Sequence, residues 1–187
     1  MVQDKTPQER LQEEQKHKEH VHHTKINAAA IADHILGNIH TMHVKLHQYH
    51  WYVKGPHFFS IHDKLNELYN TNEEWFDKIA ERLIASGHKP ASTTTEFEKY
   101  SMLSEDPADK YLKAEEMVEN VIEDFRSTRG LTVRAIHLAQ EEGDDAFEDT
   151  LIVFKSYLDE NIWMLQAYLG KEALEDDDDF DEDDDEE

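Results

Sequence analysis

Apolar residues recur every three or four positions through most of the chain, which is the spacing of one face of an α-helix. The first such run, between residues 25 and 53, predicts a helix of about eight turns that Gly55 and Pro56 terminate. Alternation typical of strands is absent, so the sequence predicts an all-α protein. The apolar stripe of this first helix comprises Ile31, Ile35, Ile39, Met42, Leu46, Tyr49 and Val53.

A second stripe predicts a helix that begins at Ser60 and ends at Gly87. Ser60 followed by Asp63 resembles a capping box, with Asp in place of the usual Glu. The segment 88–106 then forms the one long connection, and a short helix is predicted within it at about residues 96–100. The stripe of the second helix comprises Ile61, Leu65, Leu68, Trp75 or Phe76, Ile79 and Leu83.

Two further stripes predict a third and a fourth long helix. Asp106 followed by Pro107 predicts the start of the third helix, which ends at Gly143. Asp144 favours the start of the fourth helix, because the helix dipole is positive there, and Gly170 ends it. Four long helices with a single long crossover between the second and the third predict a ferritin-like four-helix bundle.

The chain divides into three parts. Residues 25–172 carry the four stripes and predict the bundle. Residues 1–24 are polar and rich in histidine, and they predict a flexible leader. Residues 173–187 predict a disordered acidic tail, since every residue from 175 to 187 except Phe180 is Asp or Glu.

The overall charge narrows the range of partners. The 187 residues include 43 acidic and 19 basic side chains, a formal net charge of −24. Such a chain lacks the basic surface that drives nucleic-acid affinity, which disfavours direct DNA binding at neutral pH. The absence of cysteine excludes thiolate sites and disulfides and favours a reducing, cytoplasmic setting. No apolar run is long enough for a membrane span or a signal peptide.

Histidines and carboxylates supply the candidate chemistry. Thirteen histidines with many acids and no cysteine are a ligand set for zinc, iron or manganese. His50 ends the first predicted helix and His62 begins the second, so neighbouring helix ends could bring both imidazoles together. Glu73, Asp77 and Glu81 form a column of acids on the second helix. Ordinary alternatives stay open here, because histidines are often packed polar residues and acidic columns are often solvated faces.

Helix geometry decides how these groups can meet. His62 and Asp77 lie fifteen residues apart on one predicted helix, which corresponds to about 22 Å. Within one subunit they cannot share a metal ion. Two copies paired antiparallel about a two-fold axis would bring the histidine end of one helix to the acidic end of its partner, with two equivalent sites per dimer. A site inside one bundle would need Glu-x-x-His on the later helices, and the third and fourth predicted helices lack that motif.

Several motifs resemble one known family. They are HQYHWYVKGPHFF at residues 47–59, His62, DKIAERL at residues 77–83 and NIWML at residues 161–165. In this register the chain resembles the Dps family of mini-ferritins over about residues 25–174. The resemblance implies a bacterial, cytoplasmic homo-dodecamer with a hollow interior and no organic cofactor. It further implies that this particle oxidises Fe(II) to Fe(III), with hydrogen peroxide preferred to dioxygen, and stores ferric mineral.

The resemblance also implies roles for individual residues. His50 and His62 match the histidine ligands that one subunit supplies to the iron site. Asp77 and Glu81 match the carboxylate ligands that the other subunit supplies. Trp51 matches a tryptophan beside that site, which the family is thought to use as an electron relay. Mixed imidazole and carboxylate ligation suits Fe(II) and leaves positions open for the oxidant.

Two departures from the family pattern change these expectations. Asn66 stands four residues after His62, where many members carry an acid, and an amide cannot supply the charge for a second iron position. Asp145 and Asp149 match aspartates that line a three-fold pore through which iron enters, but Gln140 stands where a further acid is expected. Acidic rings should still favour cations at that pore.

Three functional hypotheses follow. The leading one is a ferroxidase and iron store that consumes peroxide and so protects DNA from oxidative damage. The second is a DNA-compacting protein that acts through a leader charged at low pH. The third is a non-redox buffer of divalent metals. The third also involves the acidic tail, and the last two both depend on the histidines of the leader, His17, His20, His22 and His23.

Overall fold

The computed structural model describes residues 5–177, apart from the side chains of residues 22–24. Every regular element in that range is helical, which confirms the predicted all-α class. None of these helices is both long and apolar enough to cross a membrane. The elements are α1 (Pro7–Thr24), α2 (Ala28–Tyr52), α3 (Phe58–Ala85), α4 (Thr94–Tyr100), a 3₁₀ helix (Pro107–Tyr111), α5 (Ala114–Glu142) and α6 (Asp145–Tyr168).

The four long helices α2, α3, α5 and α6 form the predicted bundle. Helix α2 packs against α3 and α5, and α6 packs against α5 and α3. Every member of the first predicted stripe is buried, and on α3 the buried aromatic is Trp75, while Phe76 is only partly buried. Among the largest fully buried side chains are Tyr49, Phe125, Phe154, Ile35, Leu68 and Ile79.

The long crossover contains the predicted short helix, α4, which lies against α2. A Cβ atom built at Gly37 would lie 2.7 Å from the backbone nitrogen of Ser101 and 2.8 Å from the carbonyl oxygen of Phe97. Real Cβ atoms do not approach backbone that closely, so glycine is required at this crossing. The close approach holds the crossover against the bundle.

Two predicted helix starts are wrong in detail. Helix α3 begins at Phe58, because the backbone N–H of Phe58 already donates to the carbonyl of Gly55 at 3.1 Å. Ser60 therefore caps nothing, and its hydroxyl donates to the carbonyl of His57 at 3.0 Å. Asp106 does act as a cap, but for the 3₁₀ helix alone. Extended backbone at residues 112–113 then separates that turn from α5, which begins at Ala114.

Part of the predicted leader is helical. Thr6 and Glu9 form a capping box at the start of α1, and Pro7 occupies its first position. Lys18 attaches the helix to the bundle through an ion pair with the buried carboxylate of Asp33, at 3.0 Å. The apolar pattern misses α1 because this helix has no apolar stripe. Residues 1–4 lie outside the described range.

The first residues of the predicted acidic tail contact the bundle. Arg126 donates to the carbonyl oxygen of Glu175 at 2.7 Å, and Arg129 donates to the carboxylate of Asp177 at 2.6 Å. Both arginines belong to α5, so the described chain ends against that helix. The rest of the predicted tail, residues 178–187, lies outside the described range.

Candidate metal site

The turn between α2 and α3 brings His50 and His62 into contact. Gly55 adopts a φ of 125° within this turn, a backbone conformation that residues other than glycine rarely adopt. The two imidazole rings stack with their centroids 3.6 Å apart and their planes 20° apart. His50 Nδ1 lies 2.9 Å from the carbonyl oxygen of His62, and His62 Nδ1 lies 2.9 Å from the carbonyl oxygen of His50.

This reciprocal pair of hydrogen bonds determines where each ring carries its proton. A carbonyl oxygen only accepts hydrogen bonds, so Nδ1 must be the donor in both rings. In the neutral imidazole the lone pair then lies on Nε2, the atom that can bind a metal ion. Backbone carbonyls fix the orientation of metal-binding histidines in this way in many proteins. His50 and His62 are therefore oriented as two half-buried nitrogen ligands.

Aromatic side chains enclose the imidazole pair. Phe58 stacks on the ring of His62, with centroids 5.0 Å apart. Tyr69 meets the ring of His50 edge-on at 5.4 Å and stacks on His47 at 3.9 Å. Tyr69 was not among the residues that the sequence predicted for this site. Its position seven residues after His62, on the same face of α3, was the available signal.

Trp51 lies beside this aromatic group and is largely exposed. Its ring meets His47 edge-on at a centroid distance of 5.5 Å, and 68% of the residue's surface is accessible. Phe59, at the start of α3, is 80% exposed. Large exposed aromatic side chains beside a candidate site are typical of interaction surfaces.

The acidic column lies near the other end of α3. Asp77 and Glu81 are both exposed. The neighbouring cations are directed elsewhere, since Lys78 Nζ lies 4.5 Å from the ring centroid of Trp75, and Arg82 approaches Asp144 at 3.6 Å and donates to Ser86. Lys78 and Arg82 were the cations expected to form ion pairs with this acidic face. Because both contact other residues, local ion pairing does not account for Asp77 and Glu81.

One chain does not bring the imidazoles and these acids together. Helix α3 is continuous from Phe58 to Ala85, so His62 and Asp77 are about 22 Å apart along its axis. Within residues 5–177, no group of three or more histidine or acidic side chains is arranged to hold a metal ion. The described chain thus presents two nitrogen ligands at one end of α3 and two carboxylates toward the other.

A second polar pair, an ion pair, is buried in the interior of the bundle. Lys45 Nζ on α2 lies 2.8 Å from the carboxylate of Asp124 on α5, and both residues are buried. Burial raises the pKa of Asp124 to about 6, although the nearby Lys45 ammonium opposes that rise. A protonated lysine carries no lone pair, so its ammonium cannot bind a metal ion, and its charge disfavours a second cation at Asp124.

Asp145 and Asp149 lie together at the start of α6. Their neighbour Asp144 caps the helix by accepting from the backbone N–H of Phe147 at 3.1 Å, and it also accepts from the hydroxyl of Ser86 at 2.7 Å. Asp145 and Asp149 are exposed and one turn apart. The structure leaves these two carboxylates in solvent, away from the imidazole pair on the other helices.

Comparison with known proteins agrees with this architecture. The ferritin-like domain family matches residues 29–174. The DNA protection during starvation protein of Listeria innocua serovar 6a is 37% identical over 150 residues, which cover 80% of this chain and 96% of that protein. The X-ray structure of Dps from Listeria monocytogenes superposes with a TM-score of 0.78 at 35% identity, over 81% of this chain and 98% of that one. The crystal structure of DpsB from Lactococcus lactis MG1363 superposes with a TM-score of 0.85 at 31% identity, over 90% and 96% of the two chains. The chain belongs to the Dps family of ferritin-like proteins.

Proposed function

We propose that the protein is a ferroxidase and iron store. It binds Fe(II) at sites shared between two-fold-related subunits, oxidises it with hydrogen peroxide in preference to dioxygen, and retains the ferric product inside a homo-dodecameric shell. Each Fe(II) gives up one electron, and each hydrogen peroxide takes up two electrons and two protons to form two waters. Peroxide consumed in this way produces no hydroxyl radical, and so DNA is protected chemically.

The observation that carries this proposal is the reciprocal hydrogen bonding of His50 and His62. Two stacked rings, each with its Nδ1 proton held by the other residue's carbonyl, present their Nε2 atoms as ligands. Two neutral imidazoles alone are too few ligands for Fe(II), and they supply no negative charge to balance that of the ion. The carboxylates of Asp77 and Glu81, which form no ion pair with the side chains that the structure describes, are suited to complete the site across a two-fold axis.

Two further roles follow from the same arrangement. Trp51 would act as an electron relay, since its exposed ring contacts His47, and His47 stacks on the tyrosine that contacts His50. Asp145 and Asp149 would line the route by which Fe(II) enters the shell. A ring of exposed carboxylates concentrates cations and repels anions.

The decisive experiment mixes two inactive chains. One chain carries His50→Ala and His62→Ala, and the other carries Asp77→Asn and Glu81→Gln. Each variant alone should oxidise Fe(II) near the rate of protein-free buffer. After coexpression, random pairing gives one intact site in each mixed dimer, so activity should return to about one quarter of the wild-type rate.

Two controls make this result interpretable. Particles of the two variants that were assembled separately and then combined should stay inactive, because no subunit has been exchanged. The mass of each particle in solution should correspond to twelve chains. Activity that stays near the buffer rate after coexpression, in particles of that mass, would show that sites are not shared between subunits.

The same preparations separate this function from its two alternatives. A non-redox metal buffer would bind Zn²⁺ without oxidising Fe(II) faster than buffer does. A DNA-compacting protein would retard DNA in a mobility-shift assay below about pH 6.5, where histidine gains charge, and only with residues 1–24 present. The relatives named for DNA protection support a protective role, and the net charge of −24 favours protection by chemistry over direct contact.

A further inference from the structure

Asn66 lies on the side of α3 that carries the candidate ligand His62. The two residues are four positions apart, which places their side chains one above the other on the helix. A side chain at this position could therefore reach a second cation beside the imidazole pair. Asn66 is exposed, so burial does not keep it from such a role.

Tyr69 engages the one side-chain atom of Asn66 that could bind a cation. The Tyr69 hydroxyl donates a hydrogen bond to Asn66 Oδ1. Stacking on His47 and edge-on contact with His50 hold the tyrosine ring in place from the α2 side. Asn70 donates to the backbone carbonyl of Asn66 at 2.8 Å, which leaves the side-chain oxygen to Tyr69.

The chemistry of the amide makes this contact consequential. An asparagine side chain has a single acceptor oxygen, and its other group is an NH₂ with two donors. The hydroxyl of Tyr69 takes one of the two lone pairs of this oxygen and directs it toward the tyrosine, so the amide offers a cation at most one uncharged ligand beside two N–H donors. A carboxylate at the same position would offer two oxygens and a negative charge, and so could accept the hydroxyl and a metal ion together.

We propose that Tyr69 and Asn66 restrict each imidazole half-site to a single metal ion. Tyr69 acts as a positioning residue: it touches no metal itself and sets the orientation of the Asn66 amide. The inference rests on the proposed shared site and refines it, because it states how many ions that site takes. Peroxide would then take one electron from the bound Fe(II) and the other through Trp51, and a second Fe(II) would reduce Trp51 again, so that two Fe(II), one peroxide and two protons still give two Fe(III) and two waters.

The test counts Co²⁺ ions bound by the full-length particle under argon, by calorimetry and visible absorption. For each form, the same protein with His50→Ala and His62→Ala gives the background from the leader and tail. Above that background, the wild type should bind one Co²⁺ per chain. Asn66→Asp should bind two. Asn70→Asp, which adds the same charge one turn further along α3, should still bind one.

A second variant tests the tyrosine itself. Tyr69→Phe keeps the ring that stacks on His47 and removes only the hydroxyl, so the amide oxygen of Asn66 can turn outward. We expect a second, weaker Co²⁺ binding step that the wild type lacks. Adding Asn66→Ala to the Tyr69→Phe variant should abolish that second step, because the side-chain oxygen at position 66 is then missing.

The outcomes distinguish this inference from the proposed function. Two Co²⁺ per chain in the wild type, or one in Asn66→Asp, would overturn the restriction while leaving the shared site in place. Absence of any Co²⁺ above background in all forms would overturn the shared site and the restriction with it. One Co²⁺ in the wild type, two in Asn66→Asp and one in Asn70→Asp would support the restriction, and the coexpression experiment decides separately whether the site is shared.

Discussion

Helix α2 contributes to two polar pairs that follow opposite designs. Lys45 forms an ion pair with Asp124 in the bundle interior, at 2.8 Å. Five residues later, His50 pairs with His62 at the end of the bundle, through backbone carbonyls. Five residues correspond to about 140° around the helix, so the two side chains face in different directions.

The difference between these pairs explains why the proposed metal site uses the histidines and not the interior ion pair. In the interior pair both carboxylate oxygens of Asp124 face the Lys45 ammonium, so each charge is neutralised by the other, and a cation approaching Asp124 would meet the positive charge of Lys45. In the imidazole pair each ring is held by an uncharged carbonyl through one nitrogen, and the other nitrogen remains available. A side chain can act as a metal ligand when its neighbours hold it in place and leave its ligand atom unoccupied. Of these two pairs, only His50 and His62 meet both conditions.

The strongest test of this contrast removes each pair as a whole. His50→Ala with His62→Ala should lower the peroxide-driven rate of Fe(II) oxidation by about 100-fold or more, because loss of even an outer partner of a metal ligand costs about 10–100-fold. Lys45→Met with Asp124→Leu should leave the rate within about two-fold of wild type, since that pair presents no ligand. Stopped-flow absorbance of ferric product measures both. Equal losses would show that the interior pair takes part in the chemistry.

The interior pair should instead dominate stability. Lys45→Met alone leaves a buried carboxylate without its cation and should lower the free energy of unfolding by about 3–5 kcal/mol near neutral pH. The double change Lys45→Met with Asp124→Leu should recover most of that loss, because no buried charge remains. Denaturant unfolding at one fixed subunit concentration measures both values. If the double variant is as unstable as Lys45→Met alone, the pair contributes to stability through the packing of its side chains and not through its charges.

The same pair predicts a dependence of stability on pH. Burial raises the pKa of Asp124 from 3.8 to about 6 in the folded state. Protonated Asp124 therefore favours folding, and this contribution is present below about pH 4 and lost as the pH rises through 6. At 1.36 kcal/mol per pKa unit the loss is roughly 3 kcal/mol. Unfolding free energies of wild type and of Lys45→Met with Asp124→Leu should diverge by that amount across this window, in favour of the variant. Parallel curves would show that Asp124 does not titrate there.

Periodicity and spacing predicted the bundle but not the contacts around the site. The buried stripes fix four helices, and the long continuous α3 confirms that His62 and Asp77 are separated along one rod. The contacts of Tyr69 with His47 and Asn66 join side chains of two helices, and such contacts depend on packing that spacing does not encode. Helix α1 was not predicted for a different reason: the sequence feature that marks it is a capping box, and it has no apolar stripe.

The smallest expected effect concerns the supply of iron to the imidazole pair. Asp145→Asn with Asp149→Asn removes two exposed charges from the start of α6 and should slow the initial uptake of Fe(II) about three- to ten-fold at low ionic strength. The effect should fade in high salt, because screening shortens the reach of exposed charges. Initial rates of Fe(II) oxidation at limiting iron, measured across ionic strengths, give both results.

A matched variant separates local charge from total charge. Glu119→Gln with Glu160→Gln removes two exposed acids elsewhere on α5 and α6, so it changes the net charge equally. Uptake by this variant should match the wild type, and Co²⁺ binding at the imidazole pair should be unchanged in both variants. If the two variants slow uptake to the same degree, the acids at the start of α6 act only through net charge. If neither slows uptake, Fe(II) reaches the site by another route, and the imidazole pair would be supplied independently of Asp145 and Asp149.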